Sequence, residues 1–380
     1  MFNLAFTLVA LFKLWKKVRS ERHRHYLLKD DLTPPCQSAW STLYNQKRDE
    51  SFVDVMGFDV KCFHELHELL FDNQVQTMGR PRALDTKGEL ALTLHWLNST
   101  MRQKTLAQLF GVTPSSVSDI LQNVITLIIE KLEFHPDCKI QWPSPEKMRA
   151  LSDLVRARSA ELPNVFGFVD GLWLPVPNDQ DESIQNAFYN GWKTTPSISN
   201  VLCFSPEGKI IYAAYNMPGS WHDWTCARGL FHKLKSKTPA PFRILGDSAF
   251  STTEREIKEK LLTPLRENEI SIHPRIKAAQ VRLHQVVVRE RQAAEWGMRA
   301  LQGTFARLTL LMSNVPKRRR ELLLAVFLLH NFHASRGGLN QIREVYRGDF
   351  SYQNVWSDLK RVFKERTANR LRRYYRLNHQ

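Results

Sequence analysis

Four acidic side chains carry the chemistry this sequence suggests. Asp170 lies inside Val165–Pro175 (VFGFVDGLWLP), a run that is otherwise apolar. A buried, unpaired carboxylate is expensive, so Asp170 needs a cationic neighbour. Two readings fit: an aspartate salt-bridged to a nearby basic group, or a metal ligand. Asp247 follows Arg243-Ile244-Leu245-Gly246, just past the end of an apolar strand pattern, where ligands and catalytic groups collect in open α/β sheets. Aspartate is also an ordinary turn residue. Ser251 to Glu254 has capping-box spacing for the next helix, which leaves Asp247 without a capping task. Asp223, in Gly219-Ser220-Trp221-His222-Asp223, has capping-box spacing with Ser220, and metal association is its alternative. Glu295 falls in a long helical pattern with Arg291 and Arg299 four residues to either side. Taken by itself, it reads as part of a solvated ion-pair ladder.

Three or four such carboxylates converging from two strands and a helix would form a hard-oxygen cage of the kind magnesium and manganese prefer. Two ions about 3.5–4 Å apart can activate an attacking oxygen and stabilise a leaving one during in-line displacement at phosphorus. No equally good zinc site competes. The cysteines (Cys36, Cys62, Cys138, Cys203, Cys226) are dispersed without C-x-x-C spacing, and His222, a lone histidine, reads as structural with a ligand or base as its alternative. An odd, scattered set of cysteines reads as reduced thiols in an intracellular protein.

The elements that would position these acids follow from periodicity. Val165–Pro175 is a buried strand, 197–204 a second and 209–216 a third, with Pro206-Glu207-Gly208 as a hairpin-like turn between the last two. A helix is predicted over about 221–236, a strand at 242–245, a helix over 252–262, a possible strand at 262–265 and one long helix over about 275–312. That order is α/β with a mixed sheet. Upstream, 51–74 is predicted as a small helical element, while 17–50 and 135–160, both interrupted by prolines, read as loop and linker.

Residues 84–134 carry three helical patterns. The first covers 86–98 and the second 104–110, closed by Gly111 as a C-terminal glycine. The third begins at a capping Thr113 with Pro114 at its first position. Short helix, Gly-Val-Thr turn and longer helix is a helix-turn-helix signature. It places Thr113, Ser115, Ser116 and Ser118 at a helix start suited to phosphate contact, with Gln122 and Asn123 as the long polar side chains nearby. A packing three-helix unit without DNA contact is the alternative.

Lys317-Arg318-Arg319-Arg320 precedes an apolar helix, where cations oppose the helix dipole. Phosphate contact or nuclear import would explain that placement, and a solvated basic turn is the plain alternative. The tail Lys360–Arg376 mixes arginines with Phe363, Tyr374 and Tyr375, which suits a nucleic-acid backbone or an ordinary amphipathic helix. The chain is 380 residues long with a net charge of +16, which favours a polyanionic partner, nucleic acid before anionic membrane. The apolar run Phe2–Phe12 is too short to span a bilayer, and its lysines follow it rather than precede it, unlike a secretory signal. No membrane partner is expected.

Six segments taken together resemble the PIF/Harbinger superfamily of DDE transposases, which includes domesticated Harbinger-derived nucleases. They are FVDG around Asp170, FYNGW (188–192), PGSWHDW (218–224), LGDSAF (245–250), AEWGMRALQGTF (294–305) and LLHNFH (328–333). Each is weak alone; their order is specific. The resemblance covers about residues 84–335. It implies a ribonuclease-H-like mixed sheet with flanking helices, preceded by an all-α helix-turn-helix domain. It assigns a catalytic, metal-holding triad to Asp170, Asp247 and Glu295, overturning the plain reading of the glutamate, and associates Asp223 with the metal.

The activity implied is Mg2+- or Mn2+-dependent DNA strand cleavage and transfer in the nucleus, by a homo-oligomer on DNA, with a Myb-like accessory protein as a possible partner. The corresponding division of the chain is an N-terminal arm and helical segment over 1–80 and a DNA-binding domain over 81–150. A nuclease domain over 160–335 and a basic tail over 336–380 complete it. Two departures touch substrate positioning. Leu172 stands where the family commonly has threonine, and Ala249-Phe250 where Gly-Tyr is common. The other functional readings are a non-catalytic DNA-binding protein that kept the fold, and a metal-dependent hydrolase of small phosphate esters.

Overall fold

The structure is a computed structural model. It describes residues 29–72, 82–266, 270–271, 273–336 and 340–347, together with Lys13 and Leu27. The apolar run Phe2–Phe12 and the tail Lys360–Arg376 lie outside the described residues.

The N-terminal half is helical: α1 (Ala39–Gln46), α2 (Asp49–Met56), α3 (Val60–Phe71), α4 (Thr86–Asn98), α5 (Gln103–Phe110), α6 (Pro114–Leu132) and α7 (Pro145–Arg158). Side chains cap several of them. Ser38, Asp59, Asp85, Thr113 and Ser144 each accept a backbone N–H in the first turn, worth about 1 kcal/mol apiece. Gly111 closes α5 in the left-handed region, as the sequence predicts. A side chain there would strike the Thr33 carbonyl, so both φ and space demand glycine. The axes of α5 and α6 are bent by 96° across this turn.

Three expectations for this half need correction. The stretch 17–50 contains α1, whose Trp40 stacks on Phe110 at 5.8 Å and anchors an aromatic cluster with Phe52 and Phe63. The element predicted over 51–74 is two helices, broken at Gly57, which adopts a positive φ of 77°. The linker 135–160 contains α7, whose Met148, Leu151 and Val155 are buried. Ser144-Pro145 starts it with the same cap-then-proline signal as Thr113-Pro114.

The second half holds β1 (Val165–Pro175), α8 (Glu182–Phe188), β2 (Tyr189–Asn190), β3 (Thr195–Phe204), β4 (Ile210–Pro218), α9 (Asp223–Cys226) and α10 (Arg228–Lys237). It continues with β5 (Arg243–Leu245), α11 (Arg255–Lys260), β6 (Leu261–Leu262), α12 (Pro274–Thr304), α13 (Pro316–Ser335) and α14 (Gln341–Arg347). The sheet is mixed. Its path is β2-β3-β1-β5-β6, with β4 also on β3. β3 is antiparallel to β1 and β4, whereas β5 and β6 run parallel to β1. Strand boundaries match the prediction closely for β1, β3, β4 and β5.

The helices match less well. The one predicted over 221–236 is two, α9 and α10; that over 252–262 shrinks to α11, and β6 ends at Leu262. The long helix ends at Thr304 rather than near 312, because the chain turns at Ala306–Thr309 and returns to the sheet, where Met312 N–H donates to the Pro175 carbonyl at 2.8 Å.

One hydrophobic core runs continuously from α1–α6 through one face of the sheet to α12 and α13; a second, smaller core fills the other face beneath α7 and α10. The LLHNFH segment lies in α13 and is structural. Asn331 accepts from Ile210 N–H at 2.7 Å and donates to the Ile210 and Cys138 carbonyls. His330 faces the Gly208 carbonyl at 3.0 Å, and burial pushes its imidazole down to about 4, so it is neutral. The β3–β4 turn is thereby clamped to α13. No single helix among the described residues is long and apolar enough to cross a membrane.

Candidate acidic site

Asp170 sits at mid-strand in β1, paired with Leu202 of β3. Its Oδ1 accepts the Gly171 N–H at 2.8 Å. Burial pushes the carboxyl up to about 6. The Gly171 hydrogen bond and Arg291 oppose the rise, while Asp247 and Glu295 add to it. These are the neighbours the sequence could not show directly: two acids, about 77 and 125 positions further along, act on Asp170 in the folded chain.

Asp247 lies two residues beyond β5, where the parallel strands end. Contrary to expectation it does cap: Oδ1 accepts Ser248 N–H at 2.6 Å and starts the Ser248–Phe250 turn. The expected Ser251–Glu254 box is not formed, since Ser251 donates back to the Ser248 carbonyl and α11 has no side-chain cap. Capping uses one carboxylate oxygen. The other, Oδ2, faces the Arg291 guanidinium at 3.7 Å.

Glu295 projects from α12 and pairs with Arg291 at 3.3 Å, one turn earlier. The ion pair read from i,i+4 spacing exists, but at the acidic site rather than on a remote solvated face. Arg291 Nε is buried without a hydrogen-bond partner, so the guanidinium is held by charge more than by directed bonds. Its helix is fixed five residues before Glu295. There Glu290 accepts from Ser159 at 2.8 Å, Arg158 at 3.1 Å, Arg289 at 2.8 Å and the Tyr346 hydroxyl. Burial alone would raise the Glu290 carboxyl; the bonds from Tyr346, Ser159 and Arg289 outweigh it and hold it below the ordinary range.

Asp223 opens α9. The expected capping box with Ser220 is absent, because His222 is the cap residue and its side chain does not cap the helix. The Asp223 carboxylate lies against Gly171 instead: a Cβ at Gly171 would sit 3.1 Å from Asp223 Oδ1. Successive side chains of a strand point to opposite faces, so Asp223 lies across β1 from the Asp170 side chain, and Asp247 is the acid that acts on both. Burial raises the Asp223 carboxyl, Asp247 raises it further, and His222 opposes them.

Asp247, beyond the end of β5, thus acts on both Asp170 of β1 and Asp223 of α9, and Glu295 of α12 acts on Asp170. Their oxygens suit magnesium or manganese chemically. As the side chains are placed, no three His, Cys, Asp or Glu among the described residues form a ready metal cluster. The positive charge between Asp247 and Glu295 comes from Arg291, a guanidinium standing where a hard cation would satisfy the same oxygens. Sequence spacing revealed Arg291 only as a partner of Glu295; its approach to Asp247 needed the fold.

The other singled-out residues lie elsewhere. Thr113, Ser115 and Ser116 bond one another at the start of α6 (Thr113 Oγ1 to Ser115 Oγ 3.0 Å, to Ser116 Oγ 2.9 Å). Ser118 donates to Gln103, and Gln122 donates to Glu321 of α13 at 3.3 Å. That bond brings α6 beside the basic start of α13, where Lys317, Arg318 and Arg320 are exposed. Arg319 corrects the expectation of DNA contact. It is 3% exposed and donates to Asn216 at 2.9 Å and to the Ser313 carbonyl at 3.0 Å. Asn216 has a positive φ of 62° in β4 and donates its N–H to Asn200, which in turn donates to the Leu172 carbonyl beside the site.

Residues 169–331 match the family model described as DDE superfamily endonuclease, a span that contains all four acids, and the match supports that superfamily. Among solved structures, the chain is similar to the Mos1 transposase paired-end complex with left transposon end, at 12% identity over 83% of this chain and 96% of that one, with a TM-score of 0.25. It is similar also to the Mos1 Strand Transfer Complex, at 13% identity over 84% and 99%, with a TM-score of 0.25. Likeness this distant carries no argument about the chemistry of the chain. No curated protein matches it.

Proposed function

We propose that the chain is a divalent-metal-dependent DNA endonuclease of transposase type, with Asp170, Asp247 and Glu295 as the catalytic acids and Asp223 as a further metal-associated one. The observation that carries this is the approach of Asp247 and Glu295, from distant parts of the sequence, to Asp170, whose charge burial leaves largely uncompensated, with Asp247 acting on Asp223 as well. Repulsion among them is a standing cost, and a site that bears it is built for a cation. The strand order, three antiparallel strands continued by two parallel ones, supports the ribonuclease-H-like reading.

Bound Mg2+ or Mn2+ would supply Lewis-acid stabilisation of the phosphorane oxygens and an activated attacking oxygen. The protein's own part is to hold and align. Asp170 is fixed by its strand and by the Gly171 N–H. Asp247 is fixed by Ser248 N–H through one oxygen, and the other, which faces Arg291, would turn to the cation. Arg291 gives up its place between Asp247 and Glu295, and from there its guanidinium can reach a phosphate oxygen.

The polar start of α6 and the adjacent Lys317, Arg318 and Arg320 form the DNA-tracking surface in this reading, with 81–150 as a helix-turn-helix unit. The Harbinger subtype, a nuclear location, a homo-oligomer on DNA and a Myb-like accessory protein extend the same proposal. One observation favours a second reading, a DNA-binding protein without catalysis: Arg291 fills the space between two of the acids. Incubating the protein with supercoiled plasmid and Mg2+ or Mn2+ decides between them. Nicking that disappears in Asp170→Asn and in excess chelator is the expected result; binding without nicking would favour the second reading.

A further inference from the structure

Most of the exposed aromatic side chains among the described residues lie on two turns joined by hydrogen bonds. Among the described residues, Tyr189, Trp192, Trp221 and Trp224 are four of the five exposed large aromatics, Phe134 being the fifth. Trp192 is 88% exposed and Trp221 46%. Tryptophan is the largest apolar side chain, and leaving several in water on neighbouring turns marks a contact surface.

These residues sit on two turns that are bonded to each other and lead into the acidic site. Asn190 Oδ1 accepts the N–H groups of Trp192 at 3.1 Å and Lys193 at 3.0 Å, and Asn190 Nδ2 donates to the Gly219 carbonyl at 2.9 Å. Ser220 N–H donates to the Ala187 carbonyl at 3.2 Å. Two residues beyond Gly219 is Trp221, and two further is Asp223, whose carboxylate lies against Gly171 and is acted on by Asp247. The platform is therefore braced by hydrogen bonds and stands at the rim of the acids. Its cations point the same way: Lys193 lies over Trp173 at 4.6 Å and Arg228 over Trp224 at 5.5 Å, and no ion pair to a described carboxylate engages either.

We propose that Trp192 and Trp221 form a stacking platform for unpaired bases of the DNA strand that enters the acidic site, with Lys193 and Arg228 on its phosphates. The inference rests on the DNA-cleaving reading of that site. A paired duplex hides its base faces, whereas unpaired bases present them, and each base stacked on an aromatic ring gains about 1–3 kcal/mol regardless of sequence. A protein partner would also use tryptophan and arginine. The position at the rim of a phosphate-handling site, in a chain of net charge +16, favours the nucleic acid.

The test uses the full chain in EDTA, by fluorescence anisotropy, with two labelled duplexes of equal length, one blunt and one ending in a short unpaired flap. The native protein is expected to prefer the flapped end. Trp192→Ala with Trp221→Ala is expected to weaken flapped-end binding by roughly tenfold or more, in line with the loss of one or two stacked bases. Blunt-duplex binding should change little, and Trp192→Phe should keep most of the preference. Circular dichroism melts establish that the variants fold. Equal losses on both duplexes, or none on either, overturn the platform and leave this surface to a protein partner. Failure of the native chain to bind either duplex would instead remove the DNA reading itself, and the platform with it.

Discussion

Burial and like charge hold the Asp170 carboxyl at about 6 against 3.8 in an unstructured chain, and that difference fixes a pH dependence. Below pH 3.8 both states carry the proton and nothing is lost. Between 3.8 and 6 the folded state keeps a proton that the unfolded state has released, so stability falls as pH rises, and the full cost is present above 6. Removing the charge with Asp170→Asn should therefore stabilise metal-free protein at pH 7.5 by on the order of 2 kcal/mol, seen as a raised Tm, with no gain at pH 4. Melts of both proteins at the two pH values check this; a variant destabilised at pH 7.5 would show that Arg291 already balances the charge. A cation competes for the same oxygens, so the thermal shift produced by MnCl2 is expected to be large above pH 6 and to fade below it. Gly171→Ala, which pushes on Asp223 from 3.1 Å, should cut nicking at least severalfold while moving Tm little. Asp170 was legible in the sequence because an acid inside an apolar strand is costly anywhere. Glu295 was not, since i,i+4 spacing to Arg291 describes a surface ladder equally well; only the family resemblance pointed to it.

At the scale of elements, the sheet was easier to read than the helices around it. A strand buried on both faces, such as Val165–Pro175, is a continuous apolar run bounded by prolines, and its limits print directly in the sequence. Helix ends depend on tertiary partners: α12 stops at Thr304 because the chain must return to Pro175, which no local signal announces. Pro143 and Pro145 suggested a linker, yet Pro145 with Ser144 before it is a helix start. The α13 helix shows how strongly single polar residues bind elements together. Asn331 is fully buried and satisfies both backbone groups of Ile210 on β4 as well as the Cys138 carbonyl. Asn331→Leu leaves those groups unpaired and should cost on the order of 3 kcal/mol, seen as a lower urea midpoint with an unchanged slope. A loss under 1 kcal/mol would mean that the hairpin holds without the clamp.

For the molecule as a whole, composition gave a net charge of +16 but not where the charge works, because solvated and inward-facing cations look alike in a sequence. The run Lys317–Arg320 divides once folded. Arg319 turns inward to Asn216 and Ser313, while Lys317, Arg318 and Arg320 face water next to α6, to which Gln122 and Glu321 tie them. If those three track phosphates, each contributes about 0.9 to the slope of log binding constant against log salt. The triple variant Lys317→Ala, Arg318→Ala, Arg320→Ala should then bind duplex DNA with a slope shallower by about 2–3, an unchanged Tm and a loss shared across sequences. Arg319→Ala should behave in the opposite way, lowering Tm by breaking the bonds to Asn216 and the Ser313 carbonyl while leaving the salt slope of the folded fraction alone. Titrations of both variants across a range of salt concentrations separate the two roles. A triple variant with the native slope would take the start of α13 out of the DNA surface and leave α6 to account for binding without it.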